Sequence, residues 1–303
     1  MKLIKPSFEI LQPNGNKVVD VLKFITKVAY TCYKTDKEIT DDSAKDFVNR
    51  LTKSGHLAML EHGTVYIKVP YNFVGRLLYS NIVKFYLKNK YSGVVFSEEI
   101  PQEHTQWYNQ LSLNPITFAN ITTNLRVIEE NKRWDDLDYI CDPSGYHARR
   151  RTVKFITDRG VSHELVRHRV FSFAQESTRY CNYGKEKFGN EITFIEPTWY
   201  NEAEDVIKSS FESFLRYSED AYMDLLDHQY TPQQARQVLP NALKTEIVLT
   251  AFEKDWVHFF NLRAIGTTGA PHPDMKALAL PLFKEFMEEF PSFMDLFNHQ
   301  EEE

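Results

Sequence analysis

The chain has 303 residues, of which 42% are hydrophobic and 26% are charged. This composition is typical of a folded protein and provides enough apolar residues for one large core or two smaller ones. The formal net charge of -6 argues against general binding to nucleic acid or to a membrane surface, because both usually require a basic face. A local basic cluster on this acidic background points instead to a specific anionic ligand.

The cysteine content and the apolar runs predict the compartment. Cys32, Cys141 and Cys181 are widely separated and form no CxxC pair, which favours a reducing compartment without disulfides or structural zinc. No apolar run reaches the roughly 20 residues needed to span a bilayer. The first residues also lack the long apolar stretch of a signal peptide. We therefore expect a cytoplasmic protein with no membrane partner.

The first half of the chain opens with clear helix and strand signals. Apolar residues recur at helical spacing over residues 18–31, and Thr40 is predicted to cap a second helix that ends near Gly55. Residues 64–69 alternate between apolar and polar, which predicts a half-buried strand. Residues 71–148 are rich in Tyr, Asn and Trp and lack clean core periodicity. We interpret them as an insertion.

The second half alternates between strand and helix signals. The predicted elements are, in chain order, a strand over 151–158, a short helix from a Ser162 cap through about Arg169, a long amphipathic helix over 203–228, a capping box at 231–234, a helix capped by Asp255 and a final helix from about Pro273. Neither a GxGxxG motif nor a Walker A loop occurs, so common nucleotide-binding folds are not indicated.

The segment HELVRH superficially resembles a zinc protease motif. Its histidines, His163 and His168, lie five residues apart rather than four, which places them about 140° apart around a helix. The two side chains would not share one metal ion, so we predict no metal site.

The stretch RHRVFSFAQESTRY, residues 167–180, contains three arginines, one histidine and two serines. On a helix, Glu164, Arg167 and His168 would share one face. In an extended segment after Val170, residues 175, 177 and 179 would place an amide, a hydroxyl and a guanidinium on one side. Such a row suits a phosphate and a polar base edge. The alternative is a salt-bridged surface helix followed by a polar loop.

The RHR triplet, followed after seven intervening residues by Ser177 and then by Arg179, resembles the signature of flavin-dependent thymidylate synthases. Three further segments resemble elements of the same family in the same order. They are GHLAMLEH at 55–62, ARQVLPN at 235–241 and FFNLRA at 259–264. The resemblance covers about residues 17–70 and 150–290, leaving 71–148 outside the family core.

The resemblance implies an activity and an architecture. Members of the family methylate dUMP to dTMP, with methylenetetrahydrofolate as the carbon donor and FAD, reduced by NADPH, as the hydride carrier. It implies an α/β (α+β) fold with a central antiparallel or mixed sheet flanked by helices. We expect one domain over residues 1–303 with an insertion at about 71–148, assembled as a homotetramer with FAD between subunits.

The resemblance also implies site residues. Those expected to bind FAD are His56, Ala58, Arg167, His168, Arg169, Gln175, Lys254, His258 and His272. Those expected to bind dUMP are Glu164, Arg167, Gln175, Glu176, Ser177, Thr178, Arg179, Arg236 and Arg263. Arg236 would hold the phosphate. Arg263, the expected catalytic residue, would lie beside the uracil and favour its N3-ionised form.

This chain departs from the family pattern at several of these positions. Glu164 stands where the family often has Gln, and Ala58 replaces a Ser or Thr. Lys254 and His258 occupy positions where Arg and Asn are common. The family often has Glu at position 175, which leaves open whether Gln175 or Glu176 contacts a ligand.

The methylation of uracil that the resemblance implies requires this set of groups. Carbon 5 of uracil is a poor nucleophile until electron density enters the ring, and a fixed guanidinium that stabilises charge on the base achieves this. The flavin carries the redox step. No protein nucleophile is then required, so Cys181 is interpreted as structural.

Two alternatives remain open at this point. The Arg167–Arg179 cluster could belong to a phosphate- or nucleic-acid-binding protein that uses arginine and aromatic rings. A histidine phosphatase is a weaker alternative, because Arg169 replaces the glycine expected after the Arg-His pair. The run Arg149–Arg151 is either a solvated strand entry or a site for the folate tail or the NADPH phosphate.

Overall fold

The computed structural model describes residues 1–35, 37–71, 76–99 and 116–300. The strands are β1 Lys2–Ile4, β2 Ser7–Leu11, β3 Thr64–Pro70, β4 Gly93–Glu99, β5 Ile116–Asn124, β6 Arg150–Asp158, β7 Ser172–Gln175, β8 Thr193–Ile195 and β9 Lys244–Phe252. The helices are α1 Val18–Tyr33, α2 Asp41–Lys53, α3 Arg76–Lys88, α4 Leu125–Glu130, α5 Arg159–Leu165, α6 Asp205–Asp227, α7 Pro232–Ala235, α8 Glu253–Phe260, α9 Pro273–Glu289 and α10 Pro291–Gln300.

The chain divides into two compact units. The first comprises Met1–Leu11, Val28–Lys37 and Arg151–Glu303, and the second comprises Gln12–Lys27 and Glu38–Arg150. Both the strands and the helices are distributed over the two units, so the expected mixed α/β class is confirmed. A single domain over residues 1–303 stays a prediction.

The first unit contains a four-stranded sheet in the order β2-β6-β9-β7, together with a parallel pair of β1 and β8. Strand β2 is antiparallel to β6, and β7 is antiparallel to β9. Val153, Phe155 and Thr157 are buried on one face of β6, as the alternation of that segment predicts. The face of the sheet that carries these residues therefore packs against the core.

Helices α8, α9 and α10 bury an aromatic core in the first unit. Trp256, Phe259 and Phe260 of α8 are fully buried and pack with Phe286 and Phe293. Large aromatic side chains bury much apolar area each and dominate core energetics. The packed rings fix α8, the helix that leads into the candidate site described below.

The second unit contains a three-stranded antiparallel sheet in the order β3-β5-β4. Its core includes Ile67 of β3 opposite Ile121 of β5, and the buried ring of Tyr86 from α3. The segment 71–148 contributes β4 and β5, so it completes the sheet that β3 begins. Its status as an insertion stays a prediction.

Several predicted boundaries are confirmed. Helix α2 begins after a Thr40 cap whose hydroxyl accepts a hydrogen bond from the Ser43 amide at 3.2 Å. Helix α9 begins at Pro273, as expected. The capping box at 231–234 forms, because the Thr231 amide donates to the Gln234 side-chain oxygen at 3.0 Å.

Two predicted caps are wrong. The side chain of Asp158, rather than that of Ser162, caps α5, which ends at Leu165 and does not reach Arg169. A carboxylate at the end of β6 satisfies the first amides of the helix four residues earlier than the sequence pattern indicates. Asp255 lies within the first turn of α8 and does not cap it. No helix among the described residues is long and apolar enough to cross a membrane.

Candidate active site

A π-helical turn, Asn261–Ile265, continues α8 and carries Arg263. It ends at Gly266, which has φ 86°. A Cβ atom there would approach the Gly269 carbonyl oxygen to 2.8 Å, so glycine is required on both conformational and steric grounds. Single π turns are rare and occur frequently at functional sites. The local backbone thus singles out Arg263.

The guanidinium of Arg263 is held by three hydrogen bonds. Its Nη1 donates to Glu164 Oε2 at 2.6 Å and its Nη2 donates to the Glu164 carbonyl oxygen at 3.3 Å. Its Nε donates to His168 Nε2 at 3.2 Å. Since a guanidinium has five N–H groups, two remain without an acceptor among the described residues. The side chain is therefore fixed in orientation and can still bind an acceptor.

His168 is a buried and uncharged member of this group. Its ring packs against Phe171 and Phe259, with centroids 5.6 and 4.9 Å away. Burial, together with the charges of Arg263 and His258, lowers the pKa of His168 to about 4. The neutral ring accepts from Arg263 at Nε2, so its proton resides on Nδ1.

A cleft of about 380 Å³ opens beside these residues. It is lined by Arg167, His168, Arg169, Val170, Phe171, Asp255, His258, Leu262 and Arg263. The structure therefore brings together the RHR triplet, His258 and Arg263, which lie far apart in the sequence. Asp255 and Leu262 also line the cleft and were not predicted as site residues.

The segment after the triplet differs from the extended row that the sequence predicts. Strand β7 ends at Gln175, and the chain turns after Ser177, whose carbonyl oxygen accepts from the Tyr180 and Cys181 amides at 3.2 and 2.9 Å. The prediction that Arg179 continues the alternation is wrong, because Arg179 lies in this turn. Its Nε donates instead to Gln233 Oε1 at 3.0 Å.

Arg236 reaches the same turn from another part of the chain. It begins a 3₁₀ turn after α7, and its Nη1 donates to the Thr178 hydroxyl at 3.1 Å. Arg159, at the start of α5, donates to Thr245 Oγ1 at 3.4 Å. Among the described residues, neither arginine forms an ion pair with a carboxylate.

Arg159 is a site candidate that the sequence analysis missed. Burial lowers its pKa, and Arg236 acts in the same direction, while Tyr183 and Glu176 oppose the shift. A bound anion would stabilise the charged form of such a buried guanidinium. The sequence signal that could have identified Arg159 is its position directly after the predicted strand 151–158.

Glu176 and Gln175 differ in their surroundings. Glu176 is 2% exposed; its Oε1 accepts from the Tyr183 hydroxyl at 3.0 Å and its Oε2 from Lys244 Nζ at 2.8 Å. Gln175 Nε2 donates to Ser162 Oγ at 3.0 Å and to Thr245 Oγ1 at 3.2 Å. Both carboxylate oxygens of Glu176 are engaged by the protein, which favours Gln175 as the residue available to a ligand.

Other expected flavin residues lie elsewhere. Lys254 approaches the Phe252 ring and does not line the cleft, and His272 occupies the cap position of α9, beside Asp274. His56 and Ala58 belong to the second unit, at the start of the 3₁₀ turn Leu57–His62. In the described part of the chain, no group of three or more histidine, cysteine or carboxylate side chains is arranged to hold a metal ion.

Arg151 has a structural partner. It forms an ion pair with Glu253, with 2.7 Å between Nη2 and Oε1, and its guanidinium lies 3.6 Å from the centroid of the Phe290 ring. Glu253 is buried and also accepts from the Ser292 hydroxyl at 3.1 Å. This pairing weakens the interpretation of Arg149–Arg151 as an open phosphate site.

The fold defines the class as an α/β protein, and its cleft gathers Arg167, Arg169 and Arg263. Residues 150–292 match the family model described as "Thymidylate synthase complementing protein". This span includes the RHR triplet, the following turn, Arg236 and Arg263. The resemblance to flavin-dependent thymidylate synthases is therefore confirmed for this span.

Curated relatives are named flavin-dependent thymidylate synthase. The chain is 37% identical over 105 residues to a flavin-dependent thymidylate synthase of Geobacter sulfurreducens, covering 35% of this chain and 43% of the relative. It is 32% identical over 148 residues to one from Corynebacterium aurimucosum, covering 46% and 58%. The chain spans about half the length of the curated relatives that it matches.

Among solved structures, the UMP/dUMP methylase PolB from Streptomyces cacaoi, bound with 5-Br dUMP, aligns over 99% of this chain and 97% of its own. The sequence identity is 14% and the TM-score is 0.46. This likeness is too low for a comparison of sites.

Proposed function

We propose that this protein methylates dUMP to dTMP reductively, with methylenetetrahydrofolate as the carbon donor and FAD, reduced by NADPH, as the hydride carrier. The observation that carries the proposal is the fixed guanidinium of Arg263 at the cleft, inside the span that matches the family model. The proposal includes a cytoplasmic homotetramer without a nucleic-acid or membrane partner.

The cleft suits a flavin in volume and in chemistry. Ligand pockets commonly measure about 300–1,000 Å³, and this cleft measures about 380 Å³. Phe171 and Leu262 offer an apolar surface to a ring system, while Arg167 and Arg169 offer guanidinium groups to phosphates. Bound FAD supplies the hydride chemistry, and these residues, with His168 and His258, bind and orient it. His56, Ala58, Lys254 and His272 do not line this cleft, and we keep them as flavin contacts on the family resemblance alone.

The turn at residues 177–179 would hold the nucleotide phosphate. Arg236 donates to the Thr178 hydroxyl, and the charge of Arg236 contributes to the lowered pKa of the buried Arg159. Guanidinium groups without carboxylate partners are well suited to bind phosphate. Ser177 and Arg179 complete the proposed phosphate site, and Gln175 would contact the base.

Arg263 would act on the uracil. Its two remaining N–H groups can donate to the base and stabilise the negative charge that develops when carbon 5 becomes nucleophilic. Its three bonds to Glu164 and His168 hold it in place before the substrate binds. A donor that is already oriented costs no reorganisation during the reaction.

No cysteine is needed as a nucleophile in this scheme. Burial, together with the charge of Glu176, raises the pKa of Cys181 to about 11. Burial likewise raises the pKa of Cys32 to about 11. Both groups are thiols rather than thiolates at neutral pH, and the thiolate is the reactive form.

The test is to purify the protein, record its visible spectrum and assay dTMP formation with dUMP, NADPH and methylenetetrahydrofolate. We expect a yellow protein that forms dTMP only when all three substrates are present. A colourless protein that binds phosphate or nucleic acid would contradict the proposal and favour the alternative of a phosphate- or nucleic-acid-binding protein.

A further inference from the structure

We propose that Glu164 is a positioning residue that limits how strongly Arg263 stabilises negative charge on the bound base. This inference rests on the proposed function and concerns the substrate side of the same site. It gives Glu164 a role through Arg263 rather than through direct contact with the nucleotide.

The geometry shows that Glu164 holds Arg263 twice. Its carboxylate accepts from Nη1 at 2.6 Å, and its backbone carbonyl accepts from Nη2 at 3.3 Å. Glu164 lies in α5, close to the helix end at Leu165, and Arg263 lies in the π turn. A carboxylate–guanidinium pair of this length is a charge-assisted hydrogen bond. The contact therefore fixes the side chain and compensates its positive charge.

The compensation weakens the field at the free edge of the guanidinium. A base that loses its N3 proton becomes an anion, and a nearby cation favours that ionised form. The carboxylate of Glu164 partly cancels this effect, because it sits on the same guanidinium. The bound uracil should therefore ionise less readily than it would beside an uncompensated Arg263.

Several other charged or titratable side chains line the same cleft. Arg167, Arg169, His258 and Asp255 line the cleft with Arg263. His168 is hydrogen-bonded to Arg263 and uncharged near neutral pH. Among the ion pairs of the described residues, the partner of Arg263 is Glu164.

The test compares Glu164→Gln with the parent enzyme and with Glu9→Gln. Glutamine keeps the shape and a hydrogen-bond acceptor but removes the charge. Glu9 pairs with Lys154 on β6 and is half-exposed, so its variant makes the same change in net charge outside the proposed site. The flavin-loaded proteins are titrated with dUMP by calorimetry from mildly acidic to mildly alkaline pH.

We expect Glu164→Gln to bind dUMP as the parent does at acidic pH, where the base is neutral. At alkaline pH it should bind about tenfold more tightly, which corresponds to a shift of about one unit in the pKa of the bound base. Its affinity should begin to rise at a lower pH than in the parent, and Glu9→Gln should follow the parent throughout.

Three results would overturn the inference, and they differ in what else they contradict. If the parent binds dUMP and Glu164→Gln has the same affinity and the same pH dependence, only the role of Glu164 is wrong. If the parent does not bind dUMP, the proposed function fails as well. A uniform loss of affinity at every pH in Glu164→Gln would show that Glu164 contacts the nucleotide directly, which also contradicts the inference.

Discussion

Arg236 donates from Nη1 to the Thr178 hydroxyl at 3.1 Å, although 58 residues separate them in the chain. This bond joins the 3₁₀ turn after α7 to the turn that follows β7. It places a guanidinium beside the hydroxyls and amides of a tight turn, a combination suited to phosphate. The relationship leads directly to the first prediction.

Arg236→Ala should weaken dUMP binding by about 2–5 kcal/mol, since it removes one partner of a charged, partly buried hydrogen bond to the ligand. Flavin content should stay near that of the parent. Calorimetric titration with dUMP on the flavin-loaded protein measures the change. Arg216→Ala is the matched control, because Arg216 is an exposed arginine of α6 that pairs with Glu212. Equal affinities for dUMP in both variants would show that Arg236 does not bind the nucleotide.

His168→Ala and Arg169→Ala should both purify with reduced FAD occupancy. The first loses a buried ring that lines the cleft and supports Arg263, and the second loses a guanidinium at the cleft. The ratio of flavin to protein absorbance gives the occupancy, again with Arg216→Ala as the control. Full occupancy in both variants would mean that the cleft does not hold the flavin.

Arg263→Ala should reduce the rate of dTMP formation by about 10²–10³, the usual loss for one preorganised donor. Arg263→Lys should restore little, because lysine keeps the charge but not the planar fork. Reduction of the flavin by NADPH does not involve the uracil and should continue in both variants. The two half-reactions are measured separately on one preparation. Loss of both together would assign Arg263 to the fold or to the flavin instead.

Glu253→Ala should lower the free energy of unfolding by about 3–5 kcal/mol, because it leaves Arg151 without its partner in a buried ion pair. Denaturant titration measures the loss. Replacing Arg151 as well, as Arg151→Met/Glu253→Ala, should recover part of it, since no unpaired charge then remains. A loss no larger than that in Glu9→Gln would show that the pair does not stabilise the fold.

The stability difference between the parent and His168→Gln should depend on pH. Burial holds the pKa of His168 at about 4 in the folded protein, below its ordinary value of 6.5. The unfolded chain therefore binds a proton first as the pH falls, and the contribution of His168 to stability is lost between those two values. Unfolding experiments at several pH values should show the parent's advantage shrinking through this window. A constant difference would mean that His168 does not titrate as a buried neutral group.

Much of the local structure could be predicted from the sequence. The cap of α2 by Thr40 and the alternation of β6 depend on neighbouring residues, so short-range patterns were sufficient. The predicted cap of α5 is wrong because Asp158 and Ser162 are both good capping residues. Which of the two caps the helix depends on where β6 ends. The pattern alone could not fix that end.

The site was predictable in its residues but not in its contacts. The motifs indicated Arg263 and Glu164, yet their 2.6 Å contact joins residues 99 positions apart. Arg179 does not continue an extended segment, because the chain turns after Ser177. That turn is formed by backbone hydrogen bonds, which the spacing of residues in the sequence does not predict. Arg159 was missed because a single arginine at a helix start has no spacing signal.

The amide of Ser177 donates to the carbonyl oxygen of Cys32 at 3.1 Å, near the end of α1, and β6 takes its antiparallel neighbour β2 from residues 7–11. Residues close to the start of the chain therefore support both the proposed phosphate turn and the sheet beneath it. A fragment restricted to residues 150–292 would leave the edge of β6 unpaired and the Ser177 amide without its acceptor. The span recognised by the family model therefore lacks part of its own compact unit, to which residues 1–11 and 28–37 also belong.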